Sequence, residues 1–307
     1  MKVLVTPRSY GKTDPTVFEM LQEAGLDVVR NDTGNIFTKE QMLEKIADCD
    51  GVIVGVDPLD KDVLAAAPKL KAIAKYGTGV DNIDLEAAKE RGIKVSVTAG
   101  ANSDAVADCA FGMLIAMARK LTQIDDECRK KNWKKITTKD VSGATLGVVG
   151  MGAIGKLMIR RAQGFDMKVL AYDPFWDGAF AEKYGVIRAE LNEIFEQADF
   201  ISLHVPLIPS TREMVGAEQL KMMKKDAVLI NCARGELIDE EALLDALEQG
   251  EIGGAALDVF VKEPPEDPRW YTLNNVLLGS HCAASTKGAS LNMGRMATAN
   301  LIRDLEG

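Results

Sequence analysis

Residues Leu146 to Gly155 read LGVVGMGAIG and carry the strongest fold signal in the chain. An apolar run leads into it, and a helical pattern from Ala153 to Gln163 leads out of it. The first glycine of this turn permits a tight reversal, the second lets a pyrophosphate approach the backbone, and the third lets the helix pack closely on the strand. The helix N-terminus then offers amides and partial positive charge to phosphates. We therefore expect a dinucleotide site formed by Gly150, Gly152, Ala153, Ile154 and Gly155.

An acidic residue stands where the ribose of a bound dinucleotide would be held. The next apolar run, Lys168–Tyr172, is followed by Asp173, 18 residues after Gly155. An acid at about this spacing accepts hydrogen bonds from the ribose hydroxyls, and it would repel a 2′-phosphate. No arginine follows closely, because the next residues read Pro-Phe-Trp, so the pattern favours NAD over NADP. The alternative is a glycine-rich turn that binds no ligand.

Short apolar runs alternate with helical patterns along most of the chain. Runs of this kind are typical of parallel strands covered on both faces, so we expect an α/β architecture. One long helical stretch, from Ser103 to about Lys131, separates two sets of strands. A second, Ser285–Leu305, ends the chain without a strand of its own and is expected to pack on the first set. The predicted domains are residues 1–99 with 284–307, and residues 100–283.

The composition is that of an ordinary globular protein and argues against several functional classes. Of the 307 residues, 47% are hydrophobic and 27% are charged, and the net charge is −9. The basic residues are scattered rather than clustered, so we do not expect nucleic-acid binding. No apolar run is long enough to cross a bilayer, and the N-terminal run is too short for a signal peptide, so we expect a cytoplasmic protein without membrane contacts. Five irregularly spaced cysteines without a CxxC pair predict neither disulfides nor a metal site.

The chain contains two histidines, His204 and His281. Both follow predicted parallel strands, at the edge where open α/β sheets bind ligands. Histidine is the side chain best suited to exchange a proton near neutral pH, so each is a candidate acid/base. The alternative for each is a structural histidine at a strand end.

Two charged residues that follow neighbouring strands favour His281 as the acid/base. Arg234 follows one strand, and its fork of N–H groups can grip a carboxylate. Glu263 follows the next strand, and a carboxylate beside an imidazole stabilises the imidazolium. Because the three residues follow successive strands, we expect them to converge above the sheet. Taken singly, either charged residue could instead form a surface ion pair.

The ordered set of motifs resembles the D-2-hydroxyacid dehydrogenases across essentially the whole chain. The segments that carry the resemblance are residues 75–84 (KYGTGVDNID), 146–155, 231–239 (NCARGELID), 256–260 (ALDVF), 263–264 (EP) and 279–281 (GSH). The resemblance implies two doubly wound parallel-sheet domains, namely a Rossmann-type NAD-binding domain and a flavodoxin-like substrate domain. This chain departs from the family pattern at Ser280, where proline is usual, and at Asp108, where glutamate is common.

The resemblance also implies an activity, which is hydride transfer between NAD(H) and carbon 2 of a small anionic D-2-hydroxy or 2-keto acid. The family's carboxylate-binding arginine, its acid/base histidine and the glutamate that tunes the histidine match Arg234, His281 and Glu263. Related formate dehydrogenases carry glutamine at the position of Glu263, which argues against that reaction. The positions that match the cofactor pocket are His204, Val205, Pro206, Thr211, Cys232, Ala233 and, beside the nicotinamide amide, Asp258. Those that match the substrate site are Lys75, Tyr76, Gly77, Thr78, Gly79 and Asn102, with the amides of residues 77–79 holding the substrate carboxylate.

Several substrates stay open within this resemblance. Phosphoglycerate dehydrogenase-like members carry a basic residue at the position of Lys75, which could hold a distal phosphate as a point charge. Alternatively, Lys75 simply reaches solvent from a strand end. Glyoxylate, hydroxypyruvate and other 2-keto acids are the alternatives to D-3-phosphoglycerate. Because the sequence ends at Gly307, we expect no serine feedback through the additional domains that some phosphoglycerate dehydrogenases carry.

Two expectations concern binding to other molecules. Some family members are NAD-sensing corepressors that keep the arginine, glutamate and histidine, so a non-enzyme role is an alternative. The resemblance also implies a homodimer joined through the cofactor domains, with the helix Ser103–Lys131 at the interface. The apolar run Cys109–Ala118 is too continuous for full exposure on a monomer. The alternative is a monomer with a long surface helix.

Overall fold

A computed structural model describes residues 1–306 and divides the chain into two compact units. The first unit comprises Met1–Asn102 together with the residues from Ser285 onward, and the second comprises Ser103–Ala284. Within the described residues, every helix is too short or too polar to cross a membrane.

The elements alternate between strand and helix in both units. Residues 1–102 contain β1 (Lys2–Val5), α1 (Thr16–Glu23), β2 (Asp27–Arg30), α2 (Lys39–Ile46), β3 (Gly51–Val54), α3 (Lys61–Ala65), β4 (Ala72–Lys75), α4 (Leu85–Glu90) and β5 (Lys94–Val97). Residues 103–284 contain α5 (Ser103–Ala118), α6 (Leu121–Arg129), β6 (Thr145–Val149), α7 (Ala153–Gln163), β7 (Lys168–Tyr172), α8 (Gly178–Tyr184), β8 (Ile187–Arg188), α9 (Leu191–Gln197), β9 (Phe200–Leu203), α10 (Ala217–Met222), β10 (Val228–Asn231), α11 (Glu240–Glu248), β11 (Gly254–Leu257) and β12 (Val276–Leu278). The last helix is α12 (Lys287–Glu306).

The first unit is built on a parallel sheet with the strand order β2-β1-β3-β4-β5. The order reverses between β1 and β3, so the chain leaves these two strands in opposite directions and opens a crevice at their carboxyl ends. Helix α12 packs on β3, β4 and β5, and its Leu301 is fully buried. The prediction that the last helix returns to the first set of strands is therefore confirmed.

The second unit is built on a parallel sheet with the order β12-β11-β10-β9-β6-β7-β8. Here the order reverses between β6 and β9, which places the glycine-rich turn after β6 at the crevice of this sheet. Strands β9, β10 and β11 are buried along their whole length, as expected for strands covered by helices on both faces. The predicted α/β architecture with two parallel sheets is confirmed, although the two-residue strand β8 was not anticipated.

The single helix predicted from Ser103 to Lys131 is wrong, because the structure breaks it into α5 and α6. Lys120 adopts a left-handed backbone conformation with φ 48° between the two helices. Helix α5 is largely buried, whereas α6 contains no buried residue. The break lets α5 stay packed against its sheet while α6 turns along the surface. The residues at the break, Arg119 and Lys120, are good helix formers, so local sequence carries no stop signal there.

The apolar run Cys109–Ala118 is partly buried inside its own unit. Helix α5 packs against α7, β10 and β11, and this buries Ala110, Phe111 and Leu114. Gly112 is exposed, and Ile115 and Ala116 are half-buried. The fold of one chain therefore explains the buried half of the run. The homodimer stays a prediction from the family resemblance.

Candidate active site

The turn after β6 requires glycine at two of its three glycine positions. Gly150 has φ 98°, and a Cβ there would lie 2.6 Å from the carbonyl oxygen of His204. A Cβ on Gly155 would lie 1.9 Å from the carbonyl oxygen of Gly150. Gly152 differs, because a Cβ there would meet no protein atom within 4 Å. The first and third glycines thus serve close packing, and the second leaves open space in front of the backbone.

The N-terminus of α7 carries amides that no side chain caps. Gly152 is the N-cap residue and provides no side-chain acceptor, and the first helical hydrogen bond runs from the Lys156 amide to the Gly152 carbonyl. The amides of Ala153, Ile154 and Gly155 therefore face the open space beside Gly152 as donors. An uncapped helix N-terminus of this kind is suited to a phosphate group.

Asp173 lies directly after β7 and is hydrogen-bonded to the glycine-rich turn. Its Oδ2 accepts the Met151 amide at 2.5 Å, and its Oδ1 accepts the Phe175 amide at 2.7 Å. These two bonds orient the carboxylate at the strand end. Each carboxylate oxygen can accept further hydrogen bonds, so ribose hydroxyls can still be bound.

His281 and Glu263 are in direct contact. Nδ1 of His281 lies 2.8 Å from Oε2 of Glu263, and the Phe260 amide donates to Oε1 of Glu263 at 3.2 Å. Both side chains are about 40% exposed, at 41% and 39%, so a small molecule can reach them. Burial raises the pKa of Glu263. The hydrogen bond and charge of His281, the Phe260 amide and the charge of Arg234 outweigh burial, so the pKa lies below its usual range. Glu263 is therefore an anion at neutral pH.

A buried carboxylate holds the backbone that carries His281. Asp258 is 1% exposed, and its two oxygens accept the amides of Cys282 at 3.0 Å and Ala283 at 2.7 Å. The His281 amide donates to the Asp258 carbonyl at 2.7 Å. These bonds stabilise a left-handed conformation at His281, φ 53°, which is uncommon for a residue other than glycine and is found at functional sites. Asp258 thus positions the acid/base candidate His281 through the backbone.

Arg234 is carried by a short loop after β10. The buried side chain of Asn231 holds this loop at two points, because its Nδ2 donates to the Arg234 carbonyl at 2.7 Å and its Oδ1 accepts the Ala233 amide at 3.0 Å. A Cβ on Gly235 would lie 2.1 Å from the Phe260 carbonyl carbon, so the loop lies directly against the segment that leads to Glu263. Asn231 and Gly235 are positioning residues that the sequence reasoning missed, although both lie inside the quoted NCARG motif.

His204 lies in different surroundings from His281. Its Nε2 lies 2.8 Å from the Ser202 hydroxyl, and burial lowers the pKa of His204 to about 4. A histidine with so low a pKa is neutral over the physiological range. Its position after β9 places it opposite Gly150, as the close approach of its carbonyl to that glycine shows. In the neighbouring loop the Thr211 hydroxyl donates to the Pro206 carbonyl at 2.7 Å and accepts the Ile208 amide at 2.9 Å, which fixes the conformation around Val205.

In the first unit, the loop after β4 offers fewer amides than the sequence suggested. The Gly77 amide already donates to the buried hydroxyl of Thr98 at 2.9 Å, so it is not available to a substrate carboxylate. The remaining donors in the predicted stretch are the amides of Thr78 and Gly79. The Tyr76 hydroxyl donates to the Ser290 carbonyl at 3.1 Å and ties the start of the loop to α12.

Lys75 does not reach solvent, so that interpretation of the residue is wrong. It is 5% exposed, and its ammonium donates to the Gly55 carbonyl at 2.5 Å and to Asn82 Oδ1 at 2.6 Å. Asn82 Nδ2 in turn donates to the Gly55 carbonyl at 3.2 Å. Lys75 therefore joins the two ends of the Tyr76–Asn82 loop and holds them against the end of β3.

Asn102 has a buried side-chain oxygen, Oδ1, that lacks a hydrogen-bond partner among the described residues. A buried acceptor without a donor is unfavourable, and such atoms are commonly satisfied by a ligand or water. This fits the prediction that Asn102 contacts a bound molecule. No group of three or more His, Cys, Asp or Glu side chains within residues 1–306 is arranged to hold a metal ion.

Comparison with known proteins identifies the family. Residues 111–283 match the model of the D-isomer specific 2-hydroxyacid dehydrogenase, NAD binding domain. The chain belongs to the D-2-hydroxyacid dehydrogenases. It is 43% identical to the D-3-phosphoglycerate dehydrogenase of Methanocaldococcus jannaschii over 302 residues, covering 96% of this chain and 57% of that protein. It is 42% identical to the glyoxylate reductase of Korarchaeum cryptofilum over 274 residues, covering 86% of this chain and 82% of that protein.

Solved structures of this family share the fold. The Aquifex aeolicus D-lactate dehydrogenase complexed with NAD and lactic acid superposes with a TM-score of 0.86 at 28% identity, covering 97% of this chain and 93% of that one. The chain spans little more than half the length of the phosphoglycerate dehydrogenases it matches, 57% of the M. jannaschii protein and 55% of the human one.

The residues present fit the cofactor of a D-2-hydroxyacid dehydrogenase NAD-binding domain. The uncapped amides of Ala153–Gly155 and the open space at Gly152 suit a pyrophosphate. Asp173, fixed at the end of β7, suits ribose hydroxyls and disfavours a 2′-phosphate. The cofactor of this domain is therefore NAD.

Gly152 offers a direct test of this cofactor site. Gly152→Val should leave the melting temperature of the cofactor-free protein nearly unchanged, because a Cβ there meets no protein atom within 4 Å and φ is −71°. The same side chain would occupy the space in front of the α7 amides, so NADH affinity should fall by about 10-fold or more, equivalent to ~1.4 kcal/mol. Fluorescence titration with NADH measures this.

Gly155→Ala is the matched contrast. Its Cβ would collide with the Gly150 carbonyl oxygen, so this variant should also lose stability, by about 1–3 kcal/mol. Unchanged NADH affinity in Gly152→Val would show that the pyrophosphate lies elsewhere.

Proposed function

We propose that this chain is an NAD-dependent enzyme that transfers hydride between NAD(H) and carbon 2 of a small D-2-hydroxy or 2-keto acid. The observation that carries the proposal is the 2.8 Å contact between His281 Nδ1 and Glu263 Oε2, on strand ends of the unit that contains the NAD-binding domain. Bound NADH supplies the hydride for reduction. The remaining tasks, holding the acid and moving its proton, fall to the side chains of this chain.

His281 has the geometry of a proton donor. Because the Glu263 carboxylate is anionic and can only accept, Nδ1 carries the hydrogen of their bond, so Nε2 is the atom that gives a proton to the substrate oxygen during reduction and takes it back during oxidation. The same bond to Glu263 fixes the orientation of the ring. The amides of Cys282 and Ala283 donate to Asp258 and hold the backbone beside His281 in place.

Arg234 supplies positive charge to the same strand-end cluster. Its charge is one of the causes of the lowered pKa of Glu263, which supports a place for Arg234 near that carboxylate. A guanidinium binds a carboxylate through two parallel N–H bonds, which orients the acid, and it offsets the negative charge that develops on the carbonyl oxygen. The amides of Thr78 and Gly79 are the proposed second holders of the carboxylate.

The proposed substrate is D-3-phosphoglycerate or its 2-keto form, with glyoxylate and hydroxypyruvate as alternatives. The relatives that match this chain include proteins named for both reactions, at 43% and 42% identity. Identity at this level does not separate the two substrates, because the catalytic side chains are shared and selectivity depends on the part of the substrate beyond carbon 2.

A panel assay tests the proposed function. The purified chain with NADH should oxidise the cofactor, followed by its absorbance, with at least one of 3-phosphohydroxypyruvate, hydroxypyruvate, glyoxylate and pyruvate, and the product should be the D enantiomer. Binding of NADH without turnover of any 2-keto acid would contradict the proposal and favour the corepressor-like alternative.

We also propose a homodimer joined through the NAD-binding units. The support is the family resemblance, because the residues of α5 packed on the sheet are buried within one chain. Light scattering at several protein concentrations tests this, and a monomeric mass throughout would contradict it.

A further inference from the structure

A tight turn follows the first strand of the first unit. The Tyr10 amide donates to the Pro7 carbonyl at 3.1 Å, which closes the turn and leaves Arg8 and Ser9 as its two central residues. Both central residues are exposed, whereas Tyr10 is only 4% exposed. The turn therefore presents the Arg8 side chain at the carboxyl end of β1.

Both ends of this turn are anchored. Before it, the Gly55 amide donates to the Thr6 hydroxyl at 3.1 Å. After it, the Tyr10 hydroxyl bonds to the Thr298 hydroxyl of α12, and the Tyr10 ring packs edge-on against Phe18 with centroids 5.1 Å apart. A turn held on both sides loses little conformational freedom when its exposed side chain binds a ligand.

The turn lies at the crevice of its sheet and beside the proposed substrate loop. The strand order reverses between β1 and β3, and open α/β sheets bind ligands outside the carboxyl ends of strands at such a reversal. The Ser9 hydroxyl donates to the Tyr76 hydroxyl at 3.4 Å, and the Tyr10 and Tyr76 ring centroids are 6.0 Å apart. Arg8 is thus one residue away from a contact with the loop whose Thr78 and Gly79 amides are proposed to hold the substrate carboxylate.

The cations of Lys75 and Arg8 differ in their hydrogen-bond partners. The Lys75 ammonium is 5% exposed and bonds to two protein oxygens, so it holds the loop rather than facing the crevice. Within residues 1–306 the Arg8 guanidinium forms no hydrogen bond or ion pair with another residue. Five arginines pair with carboxylates, namely Arg129, Arg161, Arg269, Arg295 and Arg303, whereas Arg8 is one of several that do not. In a chain of net charge −9, a guanidinium held at a crevice without an acidic partner is suited to an external anion.

We propose that Arg8, and not Lys75, binds the anionic group at the distal end of the substrate, and that this group is a phosphate ester on carbon 3. The inference rests on the proposed function, because it assumes that the carboxylate of the acid lies at the Tyr76–Gly79 loop. The planar guanidinium forms two charge-assisted hydrogen bonds to phosphate oxygens, which an uncharged hydroxyl cannot reproduce. Arg8 is therefore a specificity residue, remote from the bond that changes.

Hydroxypyruvate and 3-phosphohydroxypyruvate form a matched pair for the test, because they differ only in the phosphate. The wild-type chain should prefer the phosphorylated acid. Arg8→Ala should lower kcat/KM for it by about 10–100-fold, mainly through KM, and leave kcat/KM for hydroxypyruvate and glyoxylate within about 2-fold. Lys75→Met should lower kcat/KM for all three acids by similar factors, because it loosens the loop that they share.

Lys12→Ala is the matched control, since Lys12 is an exposed cation of the same segment. It should leave the ratio of the two kcat/KM values unchanged. An equal loss of phosphate preference in Lys12→Ala and Arg8→Ala would overturn the inference in favour of general attraction by positive charge. An unaltered ratio in Arg8→Ala, or a wild-type chain that reduces both acids equally well, would overturn it while leaving the proposed function intact. Absence of turnover with every 2-keto acid would overturn both.

Discussion

His281→Gln should lower kcat for 2-keto-acid reduction by about 10²–10⁴-fold, the usual contribution of a positioned acid/base. Glutamine keeps a polar side chain near Glu263 but cannot exchange a proton at neutral pH. The NADH dissociation constant should change little, because the glycine turn and Asp173 lie on other strand ends. Steady-state kinetics combined with NADH titration measure both quantities.

The same substitution at the other histidine identifies which of the two is responsible. Burial lowers the pKa of His204 to about 4, so this side chain is already neutral at every pH above roughly 5 and gives no proton to a substrate near neutral pH. His204→Gln should therefore keep most of the wild-type kcat at saturating NADH, even where it weakens cofactor binding, and kcat measured between pH 6 and 8 checks this. A loss of kcat in His204→Gln as large as that in His281→Gln would contradict the assignment.

Glu263→Gln separates tuning from proton transfer. The pKa of Glu263 lies below its usual range despite burial, so the carboxylate is anionic at neutral pH and loses its charge only as the pH falls through that lowered pKa. Neutral glutamine removes the anionic partner of His281, so kcat should fall, but by less than in His281→Gln, and any loss of rate that accompanies protonation of Glu263 in acid should be absent. A kcat equal to that of the wild type would show that the 2.8 Å contact does not affect proton transfer.

Arg234→Gln should lower kcat/KM for every 2-keto acid by about 10²–10³-fold or more, the loss typical of one preorganised donor to a developing oxyanion. KM should rise and kcat should fall, because the same guanidinium holds the carboxylate in the ground state and offsets charge in the transition state. Arg234→Lys should recover only part of the loss, since an ammonium keeps the charge but not the two parallel bonds.

Arg160→Gln is the matched control for this prediction. Arg160 is an exposed arginine of α7 in the same unit, so its replacement removes one guanidinium from the surface and should leave kcat/KM within about 2-fold. Asn231→Ala, which frees the Arg234 loop, should resemble a weaker Arg234 variant. Wild-type kinetics in Arg234→Gln would show that the carboxylate is held elsewhere.

The main residues of the candidate site could be predicted from the sequence because they follow the ends of strands. Arg234, Glu263 and His281 follow β10, β11 and β12, and the parallel order of these strands brings their ends to one edge of the sheet. The pattern of apolar runs predicted those strands, so the contact between Glu263 and His281 could be anticipated. Asn231 and Gly235 were not singled out, because positioning by side-chain hydrogen bonds and close backbone packing leaves no periodic signal.

The hydrogen bonds of Gly77 and Lys75 could not be predicted, because their partners are distant along the chain. The Gly77 amide is satisfied by Thr98, 21 residues away, and the Lys75 ammonium by Gly55, 20 residues away. Nothing near Gly77 or Lys75 in the sequence marks these partners. The same holds for the break at Lys120, where local helix propensity is high and packing of α5 on its sheet decides the direction of the chain.

Local sequence patterns are enough to predict the α/β architecture, the glycine-rich turn, the acid at the end of β7 and the three charged groups of the candidate site. These follow from local rules, because strand periodicity and the space available at glycine depend on near neighbours. Which of these groups remain available to a ligand depends on long-range contacts in the folded chain. Burial and hydrogen bonding to distant residues commit Lys75 and the Gly77 amide, keep His204 neutral, and leave Arg8 exposed at the crevice of its sheet.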